Sequence, residues 1–232
     1  MGWSKVPVAE FLHNKTSLPV KVETRASAIL RAEMNTVLSQ GSSNPLLVNV
    51  GVGVGSASYL AGDFQWSGNS GFGKLSHIAH PQSDTKCSCG RRGCLEQAAT
   101  GAAIVREVFA IPEYQNIPFS EMGPMLADAA NRAETGDEAA KDAFFDAGRK
   151  MALGVDIALA MLNPDMILLA GETGRQADYV RGVKRGLREL RSPICEQQLQ
   201  ISKARSAEGS ACIALDAFIY SGLPIFKKLH AA

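Results

Sequence analysis

Apolar positions along the chain recur at two intervals, one helical and one strand-like. Within residues 2–13 a turn leads into Val8, Phe11 and Leu12 at helical spacing, which predicts a short amphipathic helix. Pro19 opens the alternating run Val20-Lys21-Val22-Glu23, the pattern of a half-buried strand. Ile29, Leu30 and Met34 form the stripe of a helix over 26–38. Residues 46–50 read as an apolar strand interrupted by Asn49, and 56–60 as a second strand. From Leu95 onward helical periodicity dominates: 101–110, 119–132 with Ser120 as N-cap, and a long stretch over 136–162. Asn163-Pro164-Asp165 stops the long helix, because proline cannot continue it and restricts the residue before it. A buried strand over 166–170, a turn at 171–174, a helix over 179–191, a strand over 199–202 and a closing helix over 209–221 complete the pattern.

The 232 residues are 46% hydrophobic, enough for a sizeable core in one large domain or one and a half. The formal net charge is +1 with acids and bases interspersed, so the chain carries neither the basic footprint of nucleic-acid binding nor a polybasic membrane patch. No apolar run approaches the roughly 18 residues of a membrane span, and the N-terminus lacks a signal-peptide core. A reduced, cytoplasmic protein is expected. Cys195 and Cys212, far apart in sequence, read as ordinary buried thiols.

The chemistry concentrates in residues 68–96. His77 is followed by Cys87, Cys89 and Cys94 in the pattern H-x9-C-x-C-G-x-x-G-C-L-E. Three thiolates and an imidazole are a closed donor set for structural zinc. Gly90 and Gly93 suit a loop that must turn sharply around four ligands. The competing reading is a disulfide plus a spare thiol, although Cys87 and Cys89 are too close in sequence to pair easily. His80 is a competing fourth ligand. A second feature is the run Gly51-Val52-Gly53-Val54-Gly55 between two strands, which reads either as a tight hairpin or as an anion nest. It opens no helix and so is not a dinucleotide fingerprint.

Together, the glycine-rich lead-in, the histidine and C-x-C-G-x-x-G-C-L-E resemble the signature of the ROK family, which groups bacterial sugar kinases with sugar-responsive transcriptional repressors. The resemblance implies an α/β chain with the actin-like ATPase, ribonuclease H-like fold of sugar kinases. Residues 1–24 would be a remnant of a truncated first lobe, 25–207 the larger C-terminal lobe with its zinc loop at 68–96, and 208–232 a helix crossing back. It also implies that Glu96 contacts a sugar hydroxyl and that His77, besides ligating zinc, stands beside the sugar. Glu96 equally suits the first turn of a helix, where the dipole favours an acid. By the same resemblance Gly51, Gly53 and Gly55 correspond to a phosphate loop, and Gly171 to half of a glycine pair that packs on adenosine.

The departures from the family pattern carry as much information. Where ROK kinases place Glu-Asn-Asp, with the Asp as general base and the Asn on the sugar, this chain has Glu23-Thr24-Arg25. Arginine stays protonated and accepts no proton, and loss of a positioned base costs about 10²–10⁴ in rate. Val52 replaces the family threonine of the phosphate loop, and Lys74 replaces a sugar-binding glutamate. Lysine only donates, which suits a carboxylate or phosphate on the ligand. No Asp-x-Gly-Gly-Thr segment or helix-turn-helix is present, and the run Gly2-Trp3-x-x-Val6-Pro7 looks most like the repressor branch. The expectation is a sugar- or sugar-phosphate-sensing, oligomerising domain of a regulator. It would form a homodimer without catalytic residues, and would itself touch neither nucleic acid nor membrane. Its ligand groups would be Glu96, His77, Lys74, Thr24 and Arg25. An ATP-dependent hexose or N-acetylhexosamine kinase and a ligand-free zinc-stabilised interaction module are the alternatives. The surface left by the short first lobe should be apolar unless another chain covers it.

Overall fold

A computed structural model describes residues 6–65, 74–81, 83–112, 115, 117–190 and 198–220. Its centre is a five-stranded mixed sheet in the order β3-β2-β1-β4-β5. Strand β1 (Pro45–Val50) pairs antiparallel with β2 (Val54–Leu60) through a tight hairpin and parallel with β4 (Met166–Ala170). The short β3 (Asp63–Phe64) and β5 (Leu199–Ile201) form the edges.

Alternation along β1 and β4 explains the two helical layers. Leu46, Val48 and Val50, with Ile167 and Leu169, face a core completed by α3 (Leu95–Ala99), α4 (Gly101–Val108), α5 (Phe119–Glu134), α6 (Glu138–Leu162) and α8 (Ala177–Glu189). Leu47, Met166 and Leu168 face the other way, onto α2 (Arg25–Ser39), which packs in turn against α9 (Ser206–Phe218). The 25-residue α6 starts at Asp137, whose carboxylate accepts from Ala140 N at 3.1 Å, and ends at Asn163 in the left-handed region before Pro164.

Several sequence expectations are corrected. The run 19–23 is not a strand: it pairs with nothing in the sheet, Val22 is 55% exposed, and the Glu23 side chain, at 5% exposure, is the one turned inward. The N-terminal helix exists as α1 (Val8–Thr16), but it has no buried residue. Pro118, not Ser120, stands at the N-cap position of α5, two residues earlier, where proline's fixed φ suits the entry to a helix. The turn after β4 is a short helix, α7 (Gly171–Gly174). Helix α8 begins at Ala177, ahead of the predicted 179, because the Gln176 side chain accepts from the amides of Asp178 and Tyr179. Cys212 is half-buried, and Cys195 and the lead-in 66–73 lie outside the described residues. No described helix is long and apolar enough to cross a membrane.

Candidate metal centre and ligand crevice

The Cys/His loop is built from short backbone pairings. His80 N donates to Gly93 O (2.7 Å), Leu95 N to Ile78 O (2.8 Å) and Cys87 N to Arg91 O (2.8 Å). Gly90 and Gly93 adopt φ of +91° and +70°. At Gly93 a Cβ would stand 2.6 Å from Ser83 O, so the turn needs glycine for both reasons. These pairings bring one donor atom each from His77, Cys87, Cys89 and Cys94 within 4.8 Å of one another, a group that can hold a metal ion. Cys89 Sγ and Cys94 Sγ are 3.6 Å apart, far beyond a disulfide bond, and all three cysteines are free thiols. His77 Nδ1 lies 3.7 Å from Cys87 Sγ. His80 is outside the group: it is buried, and its pKa is lowered by that burial and by the nearby Lys150.

Two further side chains tune the cluster. The Arg91 backbone and guanidinium donate to Cys89 and bring its thiol down to about 7, whereas burial, with hydrogen bonding from Cys89 and Cys87, pushes Cys94 up to about 12. Gln97 Nε2 sits 4.0 Å from Cys87 Sγ. Neither Arg91 nor Gln97 stands out in the sequence pattern. Gln97 lies one helical turn after Cys94 on α3, the one signal that could have found it.

The glycine run is a hairpin. Val50 pairs with Val54, and Gly51 N donates to Gly53 O at 2.9 Å. Its tip is pinned from below: Gly51 O accepts from Gly101 N (2.8 Å) and Thr173 Oγ1 (3.2 Å), and Val52 O accepts from Ala102 N (3.0 Å). Gly51 and Gly171 follow the parallel strands β1 and β4, so they meet at the carboxyl ends of the sheet, where open α/β sheets form their ligand crevice. Gly171 has φ +85°, and a Cβ there would stand 2.2 Å from Val50 O. A Cβ on Gly53 would lie 4.0 Å from Glu96 Oε2, and one on Gly55 3.8 Å from the Ala26 Cβ. The hairpin therefore lies close to both the Glu96 carboxylate and the start of α2.

Glu96 is half-buried in the first turn of α3, two residues beyond Cys94, so metal loop and carboxylate share one short helix. Tyr179, fully buried, donates its hydroxyl to Ala99 O at 2.8 Å and fixes the end of that helix; burial raises its pKa well above the ordinary value. Lys74 is exposed and precedes the 3-10 turn Leu75–His77. Thr24 caps α2, its hydroxyl accepting from Ser27 N at 3.1 Å, and Arg25 is exposed beside it. Both line a separate cavity between α1, α2 and α9 that includes none of Glu96, His77 or Lys74. Another cavity, of about 660 Å³, lies between Asp84, Gln97 and the Asp146–Lys150 pair, and holds none of the predicted ligand residues.

A mixed sheet with a glycine hairpin at its carboxyl edge and helices on both faces is an α/β domain of the actin-like ATPase type. The profile of the ROK family matches residues 1–217, and the chain belongs to that family. It is 26% identical over 185 residues to a glucokinase of Halalkalibacterium halodurans, covering 77% of this chain and 56% of that protein. It is 25% identical over 233 residues to the DNA-binding transcriptional repressor Mlc of Escherichia coli, covering 97% and 57%. Among solved structures, a ROK family glucokinase from Streptomyces griseus in complex with glucose and AMPPNP superposes with a TM-score of 0.75 at 21% identity, covering 94% of this chain and 75% of that one. The chain spans about half the length of the curated relatives it matches. Those relatives include both repressors and glucokinases.

Proposed function

We propose that this chain is the sugar- or sugar-phosphate-sensing and oligomerising part of a ROK-type regulator, with residues 25–207 as its body, and that it does not phosphorylate sugars. The observation that carries the reading is Arg25. It opens α2 at the position where the family resemblance places a kinase's general base, and a guanidinium accepts no proton. Neither neighbour, Thr24 nor Ala26, is a carboxylate.

In this reading Glu96 accepts from a ligand hydroxyl, His77 closes the wall behind it, and Lys74 donates to a phosphate or carboxylate. The Cys3His group holds zinc. A tetrahedral site with Zn–S of about 2.3 Å and Zn–N of about 2.0–2.1 Å has S···S edges near 3.8 Å and S···N edges near 3.5 Å, close to the observed 3.6 and 3.7 Å. Bound metal would fix the loop that positions Glu96. Ligand contact at Glu96 and His77 then biases the loop, and through it the geometry of a homodimer. Thiolate ligation of zinc suits a reducing, cytoplasmic setting.

The test is thermal unfolding of the zinc-analysed protein against hexoses, amino sugars and their 6-phosphates, with coupled ADP detection on the same panel. A ligand at 100 times its Kd adds about 2.7 kcal/mol of stability. Stabilisation by one sugar or sugar phosphate without ADP release is the expected outcome. Turnover with glucose, N-acetylglucosamine or N-acetylmannosamine would replace the reading with a kinase. A zinc-loaded protein indifferent to the whole panel would replace it with an interaction module.

A further inference from the structure

The sulfurs of the Cys/His loop are unequally placed toward solvent. Cys89 is exposed, whereas Cys87 and Cys94 are only 3% and 1% exposed. An oxidant arriving from solvent therefore meets one sulfur first. Arg91, whose amide and guanidinium donate to that sulfur, sets a positive charge beside it. An exposed, electropositive setting is where a cysteine reacts. The Cys94 sulfur lies 3.6 Å from it, so reaching a disulfide length takes a movement of only about 1.5 Å. The exposed Cys89 side chain is free to turn, and Gly90 and Gly93, at φ of +91° and +70°, let the link between the two cysteines adjust. Cys87 is the poorer partner, because a single residue separates it from Cys89, too short a span for an unstrained bridge.

We propose that Cys89 and Cys94 form a peroxide-operated switch that empties the metal site. The proposal rests on the reading of the Cys3His group as a zinc site. The Cys89 thiolate attacks one oxygen of hydrogen peroxide, the O–O bond breaks, hydroxide leaves, and Cys89 becomes a sulfenic acid. The Cys94 thiolate then attacks that sulfur, the S–O bond breaks, and a second hydroxide leaves. Two electrons pass from the sulfurs to the peroxide, and two protons from solvent turn the hydroxides into water. His77 and Cys87 are then the donors left from the group of four, too few for a closed tetrahedral site. The new disulfide keeps the turn from Cys89 to Cys94 closed but unties it from His77 and Cys87. Glu96 stands two residues beyond Cys94 on α3, so the state of the sulfurs is felt at the crevice carboxylate. A thiol reductant reverses the bond by exchange and restores the donor set.

The experiment is hydrogen peroxide titration of the full zinc-loaded chain with a chromophoric zinc chelator present, followed by mass spectrometry without prior reduction. Tryptic sites at Lys86, Arg91 and Arg92 put Cys89 and Cys94 on separate peptides, and fragmentation tells Cys89 from Cys87. The expected result is one zinc released per disulfide, a mass loss of two hydrogens, the link at Cys89–Cys94, and renewed zinc binding after a thiol reductant. Cys212→Ser should behave as wild type. Cys89→Ser removes a ligand as well as a thiol, so the decisive variant is Cys89→His, which keeps four zinc donors without the exposed sulfur. Its zinc release should be about tenfold slower or more, since both remaining sulfurs of the group are buried. Release from Cys89→His at the wild-type rate, or a link through Cys195 or Cys212, overturns the pair. A zinc-loaded protein that keeps its metal and its thiols under peroxide overturns the switch and leaves the metal site standing. A protein that takes up no zinc yet forms the Cys89–Cys94 link overturns the metal reading and keeps the thiol pair.

Discussion

Removing metal from the proposed zinc-bound form should loosen the protein by an amount the loop itself sets. Ligation by His77 and Cys94 closes 18 residues into a ring, with Cys87 and Cys89 tied inside it. Treated as a cross-link on the unfolded chain, a ring of that size is worth about 3 kcal/mol at 25 °C. For a chain of this length, 1 kcal/mol moves Tm by roughly 2–4 °C, so complete chelation should lower Tm by about 6–12 °C. The loss should begin locally. Cys94 leads straight into Leu95, which is 0% exposed and packs against Gly154 of α6, so a loosened loop pulls on the core at one point. The assay is differential scanning calorimetry of metal-loaded, chelated and zinc-restored protein, with metal content measured on each sample. Cys94→Ser should reproduce the chelated value, and Cys212→Ser, outside the group, should not. A chelated sample shown to be metal-free that melts within 1–2 °C of the loaded one (below about 0.5–1 kcal/mol) would refute the cross-link argument.

Gly209→Ala gains about 1 kcal/mol of helix propensity but places its Cβ 1.6 Å from Ala28 O, a backbone atom that moves only if α2 moves. With overpacking costs of about 1–3 kcal/mol, the urea midpoint should fall, and a rise would show that the two helices part freely. Asp165 is partly buried, which raises its pKa, but the Ser42 hydroxyl and the amides of Ser43 (2.7 Å) and Asn44 (3.0 Å) outweigh this and hold it below the ordinary value. Its folded pKa is depressed, so its stabilisation is present above the unfolded value near 3.8 and is lost as pH falls through the folded one. Asp165→Asn should therefore cost about 1 kcal/mol at neutral pH, the low end because the carboxyl is partly exposed, and the gap to wild type in denaturant melts should close in acid. Tyr179→Phe leaves Ala99 O without its donor and should cost about 1–3 kcal/mol by the same measurement.

The metal group was legible because three cysteines within eight residues have few chemical uses, and the glycines between them announced a turn. The central strands were legible because β1 and β4 are buried on both faces and so are nearly continuous in apolar residues. What failed was local alternation read without its partner. The pattern Val20-Lys21-Val22-Glu23 suggested a strand with valines inward, but strand alternation means nothing where no neighbouring strand pairs. The chain turned Val22 outward and Glu23 inward. Thr24 and Arg25 are grouped with Glu96 by resemblance alone, and in the structure they line a cavity whose lining does not include Glu96.

The pairing of α2 with α9 sets a timetable for synthesis. Arg31 reaches Asp216 across 185 residues of sequence, and Ala28 meets Gly209 at a comparable remove. At about 5–20 residues per second, the face of α2 awaiting its partner stands uncovered for roughly 10–40 s on the ribosome. During that interval Ile29 and Leu30 can settle on β1 and β2, which follow α2 directly in the chain, while the face meant for α9 stays open. A slow stretch of translation downstream of Ala170 would lengthen the exposure, making the arrival of α9 the step at which α2 is either covered or captured by chaperones.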